Sequence, residues 1–226
     1  MSEKKTEPAK GEAGQQASNS MKVQSETVRL KAAYHHGGLR EALIAAAFQL
    51  ICEYGAEHFK VADACRLAGV STAAPYKHFR DRDEILEAVV SLAFAVMTEK
   101  SMAAVAAHGA GTLKGIAAMG EAYVDFAIQQ PPLFRLMFGQ HPDIKAAERV
   151  TEEGRACFGK VIEQVALFCA NNDIAGDATE IAVRLWTFVH GAASLMIDGD
   201  YDKVVPDFDV KRMIREATPM LLNVRE

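Results

Sequence analysis

The sequence predicts an all-α fold of about nine helices. Apolar residues recur at intervals of three and four along most of the 226-residue chain, as on the buried face of a helix. No stretch shows the sustained alternation of apolar and polar residues that is typical of a half-buried strand. Clusters of Gly, Pro, Asn and Asp separate the helical stretches. These observations predict an N-terminal three-helix unit followed by a C-terminal helical bundle.

The first 33 residues differ from the rest in composition. They are rich in Lys, Glu, Ser, Gln and Gly and contain no aromatic residue, which is typical of a disordered tail. They contain no apolar core of a secretory signal. No later stretch approaches the ~18 consecutive apolar residues of a membrane span. We therefore expect a cytoplasmic protein without a membrane partner, with a disordered tail over 1–33 and order from about Tyr34.

The first three predicted helices are short and closely spaced. The apolar spacing predicts helices over 39–54, 61–68 and 72–79. Gly69 supplies the positive φ that a tight turn between the second and third helices needs. Ser71 is a suitable N-cap for the third helix. Two short helices joined in this way have the spacing of a helix-turn-helix.

The remaining helices are longer. A fourth helix is predicted from Asp81 or Arg82 to His108, with Glu84 three residues after Asp81 as in a capping box. Further helices are predicted over 112–130, 132–139, 143–171, 177–198 and 207–224.

Pro75 determines which face of the predicted 72–79 helix is free. With Ser71 as N-cap, Pro75 falls in the first turn, where only one backbone bond is at stake. If its ring points inward, the side chains of Thr72, Ala73, Tyr76 and Lys77 lie on the outer face. Such a face can enter a major groove, with short residues near base edges and longer ones near phosphates. The alternative is a helical hairpin that only packs.

Two stretches resemble a known family. Residues 34–86, YHHGGLREALIAAAFQLICEYGAEHFKVADACRLAGVSTAAPYKHFRDRDEIL, resemble the DNA-binding region of TetR-type transcriptional repressors. Residues 185–195, LWTFVHGAASL, resemble the C-terminal domain of the branch whose N-terminal region carries YHHG and APYKHF. The resemblance implies a DNA-binding domain over 34–86, and a ligand-binding and dimerisation domain over 87–226.

The resemblance also implies roles for particular residues. Base contacts are implied for Thr72, Ala73 and Ala74, and phosphate contacts for Lys60, Tyr76, Lys77, His78 and Arg82. The expected partner is a near-palindromic double-stranded operator, read by a homodimer whose recognition helices lie about 34–36 Å apart.

Three residues depart from the pattern of the family. Lys60 stands where Ser or Thr is usual, Ala62 where Arg is common, and Gly38 where Asp is frequent. The chain also has a net charge of −5, which does not favour a polyanionic partner. An alternative function therefore stays open, that of a small-molecule-sensing helical protein with weak or vestigial DNA binding.

The C-terminal bundle has aromatic and methionine stripes at helical spacing. Taken singly, such a residue is more often core than ligand contact, and His190 is more often a satisfied core histidine. In the TetR family this region holds a small effector. In this sequence the stripes offer few polar groups to contact it, so a bulky and mostly apolar effector is expected. The candidate ligand-binding residues are Met119, Tyr123, Phe126, Phe134, Met137, Phe138, Phe158, Trp186 and His190.

Two helices are expected to form the dimer. Gly191, Ala192 and Ala193 allow a close helix approach in the 177–198 helix. The 207–224 helix contributes an apolar face, although Pro219 is expected to kink or shorten its end. The apolar positions of that face are Val210, Met213, Ile214, Ala217 and Leu221.

No motif predicts catalysis, a metal or a cofactor. The sequence has no P-loop, GxSxG, HExxH or GxGxxG. The segment 198–209, DGDYDKVVPDFD, begins like a calcium loop, but Lys203 stands where the loop needs glycine. We therefore expect a non-enzymatic protein.

Overall fold

A computed structural model describes residues 38–139 and 141–223 and confirms the all-α class. This part of the chain contains ten α-helices and no strand, and the predicted tail over 1–33 lies outside it. The helices are α1 (Leu39–Tyr54), α2 (Val61–Ala68), α3 (Arg82–His108), α4 (Leu113–Gln129), α5 (Pro131–Phe138), α6 (Pro142–Ala146), α7 (Glu148–Asn171), α8 (Ala178–Ile197), α9 (Asp200–Val204) and α10 (Val210–Leu221).

The prediction of an α-helix over 72–79 is wrong, because only a turn and a short 3₁₀ helix, Pro75–Lys77, form there. Pro75 has no N–H, so it cannot donate the α-helical bond to the Ser71 carbonyl. The Ala74 N–H donates to that oxygen instead, at 3.0 Å. The N–H groups of both His78 and Phe79 then donate to the Pro75 carbonyl, at 2.8 and 2.9 Å. The chain is thus held in a tight turn rather than in a regular helix.

Two other boundaries differ from the prediction. The stretch predicted as one helix over 143–171 is divided into α6 and α7 at Ala147, whose ψ of 127° is extended. The segment that resembles a calcium loop forms α9 over its first half, with Lys203 paired to Asp200 at 2.8 Å. This helical backbone is not that of a calcium loop.

The start of α3 confirms the predicted cap. Asp81 Oδ1 accepts a hydrogen bond from the Glu84 N–H at 2.9 Å. The reciprocal bond is displaced by one residue, because Glu84 Oε2 accepts from the N–H of Arg80 rather than from that of Asp81. This contact is the main cause that lowers the pKa of Glu84.

The helix α3 connects the N-terminal unit to the bundle without a break. The domain boundary expected at 86/87 falls inside it, and one continuous core extends from α1 and α2 along α3 to α4, α5, α8 and α10. A smaller core fills the far end, around Ile116, Val165 and Ile181. The helix α5 packs against α1 on one side and against α3 and α4 on others.

The composition of the helix α3 resembles that of a membrane span. Among the described helices, α3 is long and apolar enough to cross a membrane by length and composition alone. Eleven of its residues, from Ile85 to Val105, are buried inside the protein. Its apolar character is therefore accounted for by its central place in the core.

Candidate functional site

The turn after α2 presents the polar face that the sequence predicted. Gly69 adopts the left-handed conformation, with φ 71° and ψ 32°, and redirects the chain after α2. Pro75 and Phe79 are buried beneath the turn. Leu67, at the end of α2, is 40% exposed and does not join them. The turn is therefore held from below by Pro75 and Phe79, which leaves its upper face free.

The residues predicted to contact DNA lie mostly on that free face. Ala74 is half-buried and Arg82 is partly buried. Tyr76 is 66% exposed, a large fraction for an aromatic residue of a folded protein. The exposed members of the set are Lys60, Thr72, Ala73, Tyr76, Lys77 and His78.

Two lysines of this face carry uncompensated charge. Elsewhere in the unit, Arg66 pairs with Asp63 at 3.0 Å and Arg80 with Glu84 at 3.2 Å. In the described part of the chain no carboxylate lies within ion-pair distance of Lys60 or Lys77. Lys60 precedes α2 without a side-chain cap, as its departure from Ser or Thr predicts. Free cations beside a helix N-terminus suit a phosphate.

Arg82 has a different environment from the other candidate residues. Its Nε donates to the Phe59 carbonyl at 3.2 Å, and its Nη2 donates to the Ala56 carbonyl. The guanidinium also lies 5.8 Å from the centre of the Phe59 ring. These contacts fasten the loop between α1 and α2 to the start of α3. Two donors of the Arg82 guanidinium are therefore used inside the protein, and its Nη1 lies 3.5 Å from Asp83 Oδ1.

Replacing Arg82 distinguishes positioning from phosphate contact. We expect Arg82→Gln to destabilise the fold by about 1–3 kcal/mol, because the partly buried carbonyl groups of Ala56 and Phe59 lose a charged donor. DNA affinity falls with it, but the dependence of affinity on salt keeps its slope, because no phosphate contact is lost. Arg82→Lys keeps the charge, but its single nitrogen cannot reach both carbonyls as the guanidinium fork does, so it should not restore affinity. A reduced salt slope for Arg82→Gln alone would assign a phosphate contact to this residue.

A cavity of about 450 Å³ lies inside the bundle. Its walls come from α3, α4, α5, α7, α8 and α10, and Lys145 of α6 lies at its edge. Its surface is predominantly apolar, with Met97, Met119 and Met137 among its lining residues. Its volume lies within the usual range of small-molecule sites.

Six of the nine predicted ligand residues line this cavity, and three do not. Phe126 and Phe134 are almost completely buried in the packed core. His190 lies behind Tyr123 rather than on the wall. The residues on the wall are Met119, Tyr123, Met137, Phe138, Phe158 and Trp186.

A hydrogen-bonded chain crosses the wall of the cavity. The Trp186 Nε1–H, which can only donate, lies 3.4 Å from the Tyr123 hydroxyl oxygen. The Tyr123 hydroxyl lies 2.7 Å from His190 Nδ1 and donates to it when that nitrogen is unprotonated. Burial lowers the pKa of His190, and the charge of Lys145 lowers it further. Burial also raises the pKa of Tyr123. Both groups therefore stay neutral near pH 7.

Sequence reasoning missed the charged edge of the cavity. Lys145, Arg155 and Lys160 all line it, whereas the apolar stripes predicted that few polar groups would contact the effector. Two other arginines of the bundle have partners elsewhere: Arg135 pairs with Asp198 at 2.7 Å, and Arg184 donates to Asn223. Periodicity marks apolar faces and gives no signal for a cation at the border of one.

The structure combines α2 and a turn with an exposed polar face at one end and a ligand-sized cavity in the bundle. Residues 43–89 match the family model of bacterial regulatory proteins of the TetR family. Residues 116–219 match the model of a tetracyclin repressor-like C-terminal domain. The chain belongs to the TetR family of DNA-binding transcription regulators. No curated protein matches it.

Solved structures have the same fold. A protein of unknown function from Rhodococcus sp. RHA1 is 33% identical, with a TM-score of 0.71 over 84% of this chain and 96% of that one. A TetR family transcription regulator from Marinobacter aquaeolei VT8 is 13% identical, with a TM-score of 0.58 over 81% and 93%. The TetR family regulator PfmR from Thermus thermophilus is 18% identical, with a TM-score of 0.54 over 84% and 98%. The last two are similar in fold alone.

Proposed function

We propose that this protein is a cytoplasmic repressor, a homodimer that binds a near-palindromic operator and is released by a mostly apolar small molecule. The observation that carries the proposal is the position of α5. Its residues Met137 and Phe138 line the cavity, and the same helix packs against α1 of the DNA-binding unit. A molecule in the cavity therefore touches an element that supports the DNA-binding face.

The DNA-binding face would divide its contacts between bases and phosphates. Thr72 and Ala73 have short side chains at the exposed tip of the turn, where they can approach base edges and thymine methyl groups. Lys60 and Lys77 supply positive charge that no carboxylate of the described residues pairs, and Tyr76 and His78 add exposed donors beside it. Phosphate contacts of this kind set orientation and affinity, whereas the short residues contribute the sequence preference.

Release would follow from a change in the packing of α5. Phe138 contacts Phe94 of α3 with the ring centres 5.8 Å apart, and it contacts His190 of α8 at 5.0 Å. An effector that displaces Phe138 changes how α5 lies against α1 and α3. The resulting shift in DNA affinity is limited by the difference in effector affinity between the two arrangements.

The expected dimer surface is reduced by contacts inside the subunit. Ala192 and Ala193 are buried in the core, and so are Val210 and Ile214 of α10, which packs on α4 and α8. An exposed stripe remains on α8 with a spacing of four residues. It consists of Val183, Thr187, Gly191 and Leu195, and we propose it as the centre of the dimer interface.

Gly191 gives a test of that interface. Space is open around it, since among the described residues no atom beyond the adjoining helix backbone and chain neighbours lies within 4 Å of a Cβ built at this position. Gly191→Leu should therefore leave the subunit folded and weaken the dimer at least tenfold, because a larger side chain blocks the helix approach. Sedimentation velocity across a concentration series measures this. Gly159→Leu, also in a helix with open space, is the control. An unchanged dimer for Gly191→Leu would place the interface elsewhere.

Selection of fragmented genomic DNA on the purified protein, at several salt concentrations, tests the proposal as a whole. Recovery of an inverted repeat is the expected result, and genes beside it would be derepressed on deletion of the regulator. Absence of any selective retention would favour the alternative, a helical sensor with weak DNA binding. Three observations motivate that alternative. Ala62 is exposed on α2 where an Arg is common in the family, Lys60 gives α2 no side-chain cap, and the chain has a net charge of −5.

A further inference from the structure

The cavity combines an apolar interior with a positively charged edge. The wall is formed mainly by aromatic, aliphatic and methionine side chains. Lys145, Arg155 and Lys160 are lining residues too, and all three are exposed, which places their charged ends on the solvent side. A wholly apolar ligand does not account for this combination, because a cation at the edge adds no affinity for a ligand without charged or polar groups.

The three cations differ in how far their charge is compensated. Lys160 forms an ion pair with Glu163 at 2.9 Å. Lys145 Nζ donates to the Phe138 carbonyl oxygen at 3.0 Å, and no carboxylate in the described part of the chain forms an ion pair with it. For Arg155, no hydrogen-bond or ion-pair partner occurs among residues 38–139 and 141–223. Burial raises the pKa of the Cys157 thiol, and Glu153 is close enough to raise it further, so one carboxylate also lies near the cavity, without an ion pair to Lys145 or Arg155 among the described residues.

The interior offers little to a charged group. The Tyr123 hydroxyl, its main polar atom, is already bonded to His190 and lies next to the Trp186 N–H. Thr98, Ser101 and Thr151 also line the cavity, but they carry no charge. An anion is therefore favoured only at the edge, where Lys145 and Arg155 lie and where water remains.

We propose that the effector is an amphiphile with an apolar body and one anionic head group, a carboxylate or a phosphate monoester. The apolar body fills the cavity between α3, α4, α7 and α8, and the head group pairs with Lys145 and Arg155 at its edge. This inference rests on the effector site of the proposed function and makes it more specific. Because Lys145 is bonded to the carbonyl of Phe138, a head group that attracts Lys145 also acts at the end of α5.

Trp186 allows binding to be measured without DNA. It is the single tryptophan of the chain and lines the cavity, so its fluorescence reports a ligand directly. The probes are dodecanoate, dodecyl phosphate, dodecan-1-ol and dodecyltrimethylammonium, below their micellar concentrations. We expect both anions to bind at least tenfold more tightly than the alcohol, and the cation to bind most weakly. The stronger of the two anions identifies the head group. Decanoate should bind about tenfold more weakly than dodecanoate, because each buried CH₂ contributes to affinity.

The cations are tested by a double variant. Lys145→Gln with Arg155→Gln should weaken dodecanoate roughly ten- to a hundredfold and leave dodecan-1-ol within twofold. Lys160→Gln is the matched control, because Glu163 already compensates that charge, and it should change dodecanoate affinity less than threefold. The proposal would be overturned if dodecanoate and dodecan-1-ol bound equally well, if the double variant lost no affinity, or if none of dodecanoate, decanoate and dodecyl phosphate bound. Operator binding is measured separately, so a failure of the proposed DNA-binding function is distinguishable from these outcomes.

Discussion

Lys77→Ala is expected to weaken operator binding by roughly ten- to a hundredfold at low salt, with no change in the stability of the protein. Lys77 is exposed at the end of the 3₁₀ helix that follows Pro75, and in the described structure no carboxylate pairs with it. Each half-site therefore loses one charge-assisted phosphate contact, and a dimer loses two. Fluorescence anisotropy with labelled operator measures the loss.

The dependence on salt separates a phosphate contact from a general loss of fold. Two lost phosphate contacts should reduce the slope of log K against log salt by about 2. Tyr76→Phe removes only a hydroxyl, so it should cost less affinity and leave the slope unchanged. Lys114→Ala removes an exposed lysine from α4, and it should behave as wild type. A slope equal to that of wild type for Lys77→Ala would remove this residue from the phosphate contacts.

Gly115→Ala is expected to lower the free energy of unfolding by about 2–4 kcal/mol, a large effect for the addition of one methyl group. A Cβ at Gly115 would lie 2.0 Å from the Gly109 carbonyl oxygen. That atom belongs to the backbone and cannot rotate away, so the turn between α3 and α4 must move. The bond from the Gly115 N–H to the Thr112 hydroxyl, at 3.0 Å, would be strained with it.

Replacing a second glycine, Gly159, is expected to stabilise the protein rather than destabilise it. Gly159 lies within α7, and apart from the adjoining helix backbone and chain neighbours no described atom lies within 4 Å of a Cβ built there. Gly159→Ala should raise the free energy of unfolding by roughly 0.5–1 kcal/mol, because alanine loses less backbone entropy in a helix. Urea unfolding at one fixed protein concentration compares the two variants. Destabilisation by both, to a similar extent, would show that helix propensity and local space do not explain Gly115.

At the DNA-binding face, the sequence predicted which side chains are exposed but not the local backbone structure. The position of Pro75 predicts which side chains face outward, and Tyr76 and Lys77 do so. The same proline also prevents the helix that was predicted around it. A stretch of eight residues has few bonds to offset the cost of starting a helix, so the loss of one N–H favours a turn and a 3₁₀ helix instead.

Arg82 and the cavity depend on contacts that are distant in the sequence. The acceptors of Arg82 are carbonyl groups 23 and 26 residues earlier, and no local pattern marks them. Periodicity places Met119 and Phe126 on one stripe of α4, yet Met119 lines the cavity whereas Phe126 is packed in the core. A stripe indicates burial, and only the arrangement of neighbouring helices decides between solid core and empty space.

The continuity of α3 and the position of α5 limit how this regulator can be rebuilt. A chimera that joins its DNA-binding unit to the bundle of a relative would be cut inside α3, at the boundary between 86 and 87. Such a cut separates α1 from α5, which pack together across that boundary. The two functions are therefore not interchangeable parts. A sensor built from this chain would have to transplant the α1-facing side of α5 together with the residues that detect the effector.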